Sequence, residues 1–302
     1  MRKGIALILT LVLLCGCTST GQSSRQTIFC MDTVMDLQVW GDEEAVSALS
    51  RMLMQLEQTW SATAPDSLLC SGRTPTAEEQ QVLTRSEALS ARTGGAFDPK
   101  LGSLMEIWGF RTDAPHVPSR EALSAALQDP KWDLGGALKG YAGTEAVRIL
   151  RQYDVDRAIL NLGGNIQTFG SKPDGSPWQI GIRDPKGDDS LGILSVHGTM
   201  AVVTSGDYQR YFEEDGIRYH HILDPETGYP ADSGLSSVTV VCADGMTADA
   251  LSTALFVMGL ESGITFWHAS DDFEAVFVLK DGSVYATEGA ILSGCEFEVI
   301  HR

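Results

Sequence analysis

The chain has 302 residues, of which 43% are hydrophobic and 21% are charged, and its formal net charge is -18. This composition is typical of a folded globule and unlike that of a disordered segment. Because Asp and Glu outnumber Lys and Arg by 40 to 22, no basic stripe is expected for nucleic acid or for anionic lipid headgroups. A metal cation suits this excess of carboxylates better.

Residues 1–16 are predicted to be an export signal, because a short basic head precedes an apolar run, residues 5–14, that is too short to span a bilayer. The run ends in Leu14-Cys15-Gly16-Cys17, which resembles the bacterial lipobox and makes Cys17 the expected site of lipidation. An ordinary cleaved signal that happens to contain cysteines is the alternative. Residues 17–26 are mostly small and polar, as in a flexible tether. We therefore expect the chain to be anchored through lipid to the extracytoplasmic (periplasmic) face of the cell membrane.

Residues 27–302 are predicted to form a single catalytic domain, since no linker or internal repeat interrupts them. Apolar spacing of three and four residues predicts helices over residues 42–60, 76–94, 138–153 and 247–258. Strand-like runs cover residues 157–162, 178–182, 191–196, 201–204, 237–241 and 274–279. Hairpin turns are indicated at Asp215-Gly216 and Asp281-Gly282. Strands and helices are partly segregated along the chain, which favours an α+β fold with mostly antiparallel sheet.

Four segments rich in glycine and acidic residues could carry chemistry: residues 94–99, 133–141, 220–228 and 248–253. In the last segment, Asp249 and Thr253 lie four apart on a predicted helix with Ser252 beside them, so their oxygens share one face. A hard cation such as magnesium prefers oxygen ligands of these kinds. Helix capping is the alternative, with Asp249 offsetting the helix dipole.

The segment from Asp133 to Lys139 places glycines at the start of a helix, where unpaired N–H groups can bind an anion and Lys139 adds a charge. Glycines before helices also occur for steric reasons alone. His220 and His221 lie where a strand enters a tight turn, and one of them could move protons near neutral pH. A structural hydrogen bond to a nearby carboxylate is the alternative for either histidine.

Taken in order with residues 161–165, 178–185 and 204–208, these four segments resemble the ApbE family, the FAD:protein FMN transferases. The resemblance implies an ApbE-type, T-fold-like α+β fold that holds FAD in a cleft, with magnesium bridging its diphosphate. The implied metal ligands are Asp249, Thr253, the neighbouring Ser252 and the main-chain carbonyl of Gly136. The implied FAD contacts are Met31, Ala96, Phe97, Asp98, Asp133, Lys139 and Ile222. His221 matches the proton carrier of the family.

The resemblance also implies a reaction: a threonine hydroxyl of an acceptor protein takes the FMN half of FAD, and AMP is released. The acceptor would be a subunit of a membrane redox complex. Two alternatives stay open, an FAD pyrophosphatase that uses water as the acceptor and a lipid-anchored flavin carrier that leaves FAD intact. A solute-binding lipoprotein is disfavoured because the chain shows no duplicated lobes.

Two departures from the family pattern affect the flavin site. Thr63 stands where the family usually has a tyrosine that packs on the flavin, so the stacking partner is unassigned. Asp32 follows Met31 where glycine is common. The remaining cysteines, Cys30, Cys70, Cys242 and Cys295, lack CxxC spacing, which disfavours a zinc site and leaves their pairing open.

Overall fold

The structure is a computed structural model that describes residues 23–172, 174–187 and 189–302. The predicted signal, Cys17 and residues 18–22 of the predicted tether lie outside the described residues. Residues 23–26, which the sequence assigned to the tether, belong to the first strand of the fold. Lipidation of Cys17 therefore stays a prediction.

The helices confirm the periodic segments and add shorter ones between them. Those in the described part of the chain are α1 (Glu44–Trp60), α2 (Leu68–Ser71), α3 (Ala77–Arg92), α4 (Gly102–Trp108), α5 (Arg120–Leu127), α6 (Leu138–Leu150) and α7 (Gly245–His268). A capping box at the start of α3 joins Thr76 to Glu79, as their spacing predicts. The short α2, α4 and α5 were not predicted.

The strands include every strand-like run of the second half. They are β1 (Ser23–Cys30), β2 (Thr33–Gly41), β3 (Val155–Leu162), β4 (Asn165–Phe169), β5 (Trp178–Arg183), β6 (Ser190–Val196), β7 (Ala201–Gly206), β8 (Tyr211–Glu214), β9 (Ile217–His220), β10 (Leu235–Cys242), β11 (Phe273–Leu279), β12 (Val284–Thr287), β13 (Leu292–Ser293) and β14 (Glu298–Ile300). Both predicted hairpin turns are present, between β8 and β9 and between β11 and β12.

The strands form one large sheet and two small ones. The large sheet has nine strands in the order β1-β2-β3-β4-β7-β10-β11-β12-β14, and only the β12–β14 pair is parallel. A three-stranded sheet has the order β13-β6-β5, and β8 pairs with β9 alone. The predicted α+β class with mostly antiparallel sheet is confirmed.

Each face of the large sheet is covered by a different layer, and period-2 alternation decides which side chain points where. Along β2, Met35, Leu37 and Val39 are buried against α1 and α6. On the opposite face, Trp40 packs with the side chains of the three-stranded sheet, such as Trp178. Further along the sheet, α7 covers the same face as α1 and α6.

The α7 helix is the core helix of this layer. It is the one helix of the described residues that is long and apolar enough to cross a membrane, and half of its most apolar stretch is buried within the protein. The helix is interrupted at Gly259, whose φ of 78° lies in the left-handed region. The predicted helix over residues 247–258 corresponds to the part before this break.

The crossing of α6 and α7 depends on two facing glycines. A Cβ atom added to Gly140 would overlap the carbonyl oxygen of Gly245, and one added to Gly245 would overlap the carbonyl oxygen of Gly140. Main chain thus contacts main chain where the two helices cross. The Gly140 N–H donates a hydrogen bond to Asp249 Oδ2 at 2.8 Å across this contact.

Gly140→Ala should lower the free energy of unfolding by about 3 kcal/mol or more, because the new methyl group must push the two helices apart. Urea denaturation followed by circular dichroism measures this change. Gly187→Ala is a matched control, since a Cβ at Gly187 has no neighbour closer than 3.9 Å, and it should change stability by less than about 0.5 kcal/mol. Equal stabilities of the two variants would contradict the predicted crossing.

Candidate functional site

A large cavity, about 1040 Å³ in volume, opens at one end of the nine-stranded sheet. Its rim is formed by the β1–β2 turn, the β3–β4 turn at Gly163-Gly164, and residues 204–210 at the end of β7. Ligand pockets usually span roughly 300–1,000 Å³, so this cavity has room for a dinucleotide. Of the metal ligands, FAD contacts and proton carrier that the family resemblance implies, all but Ser252 line its wall.

Asp249 and Thr253 extend from α7 beside the glycine turn that precedes α6. Asp249 is 4% exposed, and its Oδ2 is held by the Gly140 N–H. A Cβ added at Gly136 would lie 3.3 Å from Thr253 Oγ1, so the turn and the helix are in van der Waals contact. The structure therefore brings together the carboxylate, the hydroxyl and the glycine main chain that the sequence predicts as a cation site.

Ser252 is the predicted metal ligand that the structure does not bring to the cavity wall. Its side chain is fully buried between α7 and β7, where the hydroxyl donates to the Asp249 carbonyl oxygen at 2.9 Å and lies 2.8 Å from Ser205 Oγ. Ser205 lines the cavity instead, with its Oγ 3.3 Å from Thr253 Oγ1. Ser205 lies within the segment 204–208 that contributed to the family resemblance, but its role was not predicted.

The donor set fits a hard cation by its chemistry, because it consists of one carboxylate and hydroxyl and main-chain oxygens. Within residues 23–172, 174–187 and 189–302, no three or more His, Cys, Asp or Glu side chains form a metal-binding cluster. The structure has no zinc-like Cys cluster either: the four described cysteines are free and scattered.

Asp133 and Lys139 flank the same glycine turn. Asp133 is 7% exposed, forms an ion pair with Arg111, and accepts a hydrogen bond from the Gly135 N–H at 2.8 Å. These contacts brace the loop that enters α6. Lys139 is half-buried in the first turn of α6, where its charge adds to the positive end of the helix dipole. Arg111 was not predicted, since nothing in the sequence joins it to a partner 22 residues away.

Met31 lies in a two-residue hairpin turn between β1 and β2. Met31 and Asp32 both have positive φ angles, 53° and 56°, as the tight turns favoured in hairpins require. Asp tolerates this conformation better than most residues, so Asp32 can replace the glycine that is common at this position. Glu57 of α1 holds the turn by accepting the Met31 N–H at 2.9 Å.

The other predicted flavin contacts come from two loops on the helix side of the cavity. Ala96, Phe97 and Asp98 follow the end of α3, and Asp98 Oδ1 accepts the Lys100 N–H at 2.8 Å. The ring of Phe97 packs beside Gly136. Ile222 follows β9 and packs into the core beneath α7. Phe97 and Ile222 thus make the cavity wall between α3, α6 and α7 apolar where it meets the glycine turn.

Thr63 lines the cavity and is exposed, and its correspondence to the family tyrosine stays a prediction. Other aromatic rings on the wall are Trp60, Phe97 and Tyr208. Trp60 and Phe97 are 4% and 3% exposed. Tyr208 is less buried than these two and lies under the Arg183 guanidinium, which is 5.5 Å from its ring centroid.

The two histidines of the pair have different environments. His220 is 6% exposed, its Nε2 lies 3.2 Å from the Ala231 carbonyl oxygen, and its ring meets Phe256 edge-on. Burial lowers the pKa of His220 to about 4. His220 is therefore a neutral core residue at pH 7.

His221 is the histidine that lines the cavity. Its Nδ1 lies 3.2 Å from the Arg210 carbonyl oxygen, and because a carbonyl can only accept, Nδ1 carries the proton. Desolvation, and then the nearby charges of Lys139 and Arg210, lower the pKa of His221 to about 3. At neutral pH the ring is uncharged and Nε2 keeps a lone pair, which is the state of a general base.

Comparison with known proteins shows the family of the chain. The model of the ApbE family matches residues 31–277. An FAD:protein FMN transferase of Klebsiella pneumoniae is 34% identical over 80% of this chain and 84% of its own length, and one from Treponema pallidum is 32% identical over 82% and 80%. The crystal structure of an ApbE protein from Thermotoga maritima superposes with a TM-score of 0.83 at 33% identity, covering 89% of this chain and 98% of that one.

A further solved structure, the flavin transferase ApbE of Vibrio cholerae, gives a TM-score of 0.78 at 27% identity over 89% of this chain and 98% of that one. The fold and its relatives define an enzyme of the transferase class. The chain belongs to the ApbE family.

The ring of His221 should show no titration between pH 5.5 and 8, because a lowered pKa keeps it neutral throughout this range. NMR of ¹⁵N-histidine-labelled protein measures this, and the spectrum of His221→Gln assigns the resonance. The Nδ1-protonated tautomer should appear in the same spectra. A midpoint near the ordinary histidine value of about 6.5 would contradict the proposed environment.

Proposed function

We propose that the chain transfers FMN from FAD to a threonine hydroxyl of an acceptor flavoprotein, in a magnesium-dependent reaction that releases AMP. The acceptor is a subunit of a membrane redox complex. The observation that carries the proposal is the contact between α7 and the glycine turn, which places Asp249 and Thr253 beside Gly136 in one large cavity. The names of the Klebsiella and Treponema relatives support flavin transfer.

Magnesium would be held by Asp249, Thr253 and the carbonyl oxygen of Gly136, with Ser205 beside them. Bound there, the ion supplies charge neutralisation for the diphosphate of FAD. Asp249 is well suited to this role because its hydrogen bond to the Gly140 N–H fixes the carboxylate before any ligand arrives.

FAD would bind along the helix side of the cavity. Lys139 and the start of α6 would face the diphosphate, since a lysine charge and the positive end of a helix dipole attract phosphate oxygens. Met31, the loop of residues 96–98 and Ile222 form the walls on which the nucleotide packs. Asp133 keeps the glycine turn in place through Arg111 and Gly135.

In the reaction, the threonine oxygen attacks the phosphorus on the FMN side of the diphosphate. A new P–O bond joins threonine to FMN as the bond to the AMP phosphate breaks, and AMP departs with the bridging oxygen. The threonine proton passes to Nε2 of His221, whose other nitrogen is fixed by the Arg210 carbonyl. Bound FAD would bring negative charge that offsets the positive charges of Lys139 and Arg210. The pKa of His221 would therefore be higher when substrate is present.

A lipid anchor at Cys17 would keep the enzyme and a membrane-bound acceptor on the same surface. Confinement to one surface raises the effective concentration of the acceptor without any new contact. The tether predicted after Cys17 would give the domain its reach. Such an anchor would place the reaction on the extracytoplasmic face of the cell membrane.

The function is tested by incubating the full chain, FAD and magnesium with membranes from source cells in which the gene for this chain has been deleted. Covalent flavin fluorescence in a denaturing gel should mark an acceptor, and peptide mass spectrometry should find one FMN on a threonine. EDTA should abolish the label. Rapid release of FMN and AMP without a labelled protein would instead identify a pyrophosphatase, and bound but intact FAD would identify a carrier.

Asp249→Asn should lower the rate of labelling by about 100-fold or more, because the amide cannot supply the negative oxygen that a hard cation prefers. Raising the magnesium concentration should restore part of the rate. Asp271→Asn, a change at an exposed carboxylate outside the cavity, is the matched control and should label at the original rate. Full activity of Asp249→Asn would overturn the proposed metal site.

A further inference from the structure

The cavity continues around the strand ends onto the other face of the large sheet. The predicted FAD and metal residues all lie at the rim or on the face covered by α1, α6 and α7. A second set of lining residues belongs to the face covered by the three-stranded sheet. These are Arg25, Asp36, Gln38, Ile159, Asn161, Ile166, Val202, Thr204 and Thr239, with residues 179–183 of β5 as the opposite wall.

This second set, here called the trench, spans six neighbouring strands from β1 to β10. Asp36 pairs with Asn161, Asn161 pairs with Ile166, and Ile166 pairs with Val202. These residues form one row that crosses β2, β3, β4 and β7. From β1 to β7 the trench is about 19 Å long, given the spacing of ~4.8 Å between neighbouring strands. That length matches roughly six residues of extended chain.

The inner end of the trench meets the candidate metal site at β7. Thr204 faces the trench and shares a 2.8 Å hydrogen bond with Thr239. The next residue, Ser205, faces the opposite side of the sheet, where it contacts Thr253. Both residues line the same cavity, so its wall connects the end of the trench to the oxygens proposed to hold the cation.

The outer end of the trench reaches β1, the edge strand of the large sheet, and is built like a protein contact surface. Phe29 and Val34 form a cross-strand pair on the trench face and are 67% and 56% exposed. Beside them, the charges of Arg25 and Asp36 neutralise each other in an ion pair of 3.4 Å. Exposed apolar side chains of this size next to a functional cleft indicate a protein partner.

We propose that the trench binds an extended, uncharged polar segment of the acceptor protein and delivers its hydroxyl to the end of β7. Gln38 and Asn161 line the trench with amide groups, which can both donate to and accept from a peptide main chain. Ile159 and Ile180 supply apolar contact between them. The Phe29–Val34 pair holds the body of the acceptor outside. This inference rests on the proposed transferase function.

The test uses the full chain with FAD, magnesium and the acceptor domain that the original protein labels. Phe29→Ser combined with Val34→Ser removes the outer contact, and Gln38→Trp fills the trench with a residue that favours strands. Each variant should lower the labelling rate at limiting acceptor by about tenfold. The affinity for FAD, measured by quenching of flavin fluorescence, should stay unchanged. Ile291→Ser, at a residue that is 55% exposed and lies off the cavity, is the matched control for Val34 and should label normally.

The outcomes separate this inference from the function on which it rests. If the original protein labels no acceptor, the transferase function fails. If it does label one and the trench variants label it equally fast, the trench is not the acceptor site. If the variants lose FAD affinity by the same factor as the labelling rate, the trench belongs to the nucleotide site, which also overturns the inference. Circular dichroism at the assay temperature confirms that each variant is folded.

Discussion

The close crossing of α6 and α7 is the contact on which the rest of the site depends. Gly140 and Gly245 have no side chains, so the two helices meet main chain to main chain. That approach lets the Gly140 N–H reach the Asp249 carboxylate and lets the turn before α6 touch Thr253. Any larger residue at the crossing would move α6 and α7 apart. The two halves of the proposed cation site would then separate even if the residues of the site were unchanged.

Around this contact, the cavity has two faces with different character. The helix face carries Lys139, the carboxylate of Asp249 and a neutral His221, which suits an anionic nucleotide and a proton acceptor. The opposite face carries amides and an exposed apolar pair, which suits a polypeptide. The two faces meet at the end of β7, where Thr204 and Ser205 point to opposite sides of the sheet. A reaction between a nucleotide and a protein hydroxyl needs such a meeting point.

Much of the fold and part of the candidate site were predictable from the sequence, because they depend on local patterns of residues. The helix of Asp249 and Thr253, the capping box at Thr76 and the strand-like runs follow from residue spacing alone, and the resemblance of several motifs supplied the family. The rest depends on contacts between distant segments. Ser205 replaces Ser252 on the cavity wall because β7 packs against α7 there, and Arg111 and Glu57 reach partners 22 and 26 residues away. No spacing rule in a single sequence indicates those pairs.

The proposed function requires a cation that joins Asp249 and Thr253 to the diphosphate of FAD. Manganese in place of magnesium tests this most directly, since it broadens the ³¹P resonances of any phosphate that shares its coordination shell. Both phosphorus signals of FAD bound to the chain should broaden on addition of substoichiometric Mn²⁺, and Asp249→Asn should remove the effect at the same metal concentration. Sharp ³¹P signals from FAD bound to the unaltered protein in the presence of Mn²⁺ would contradict the account.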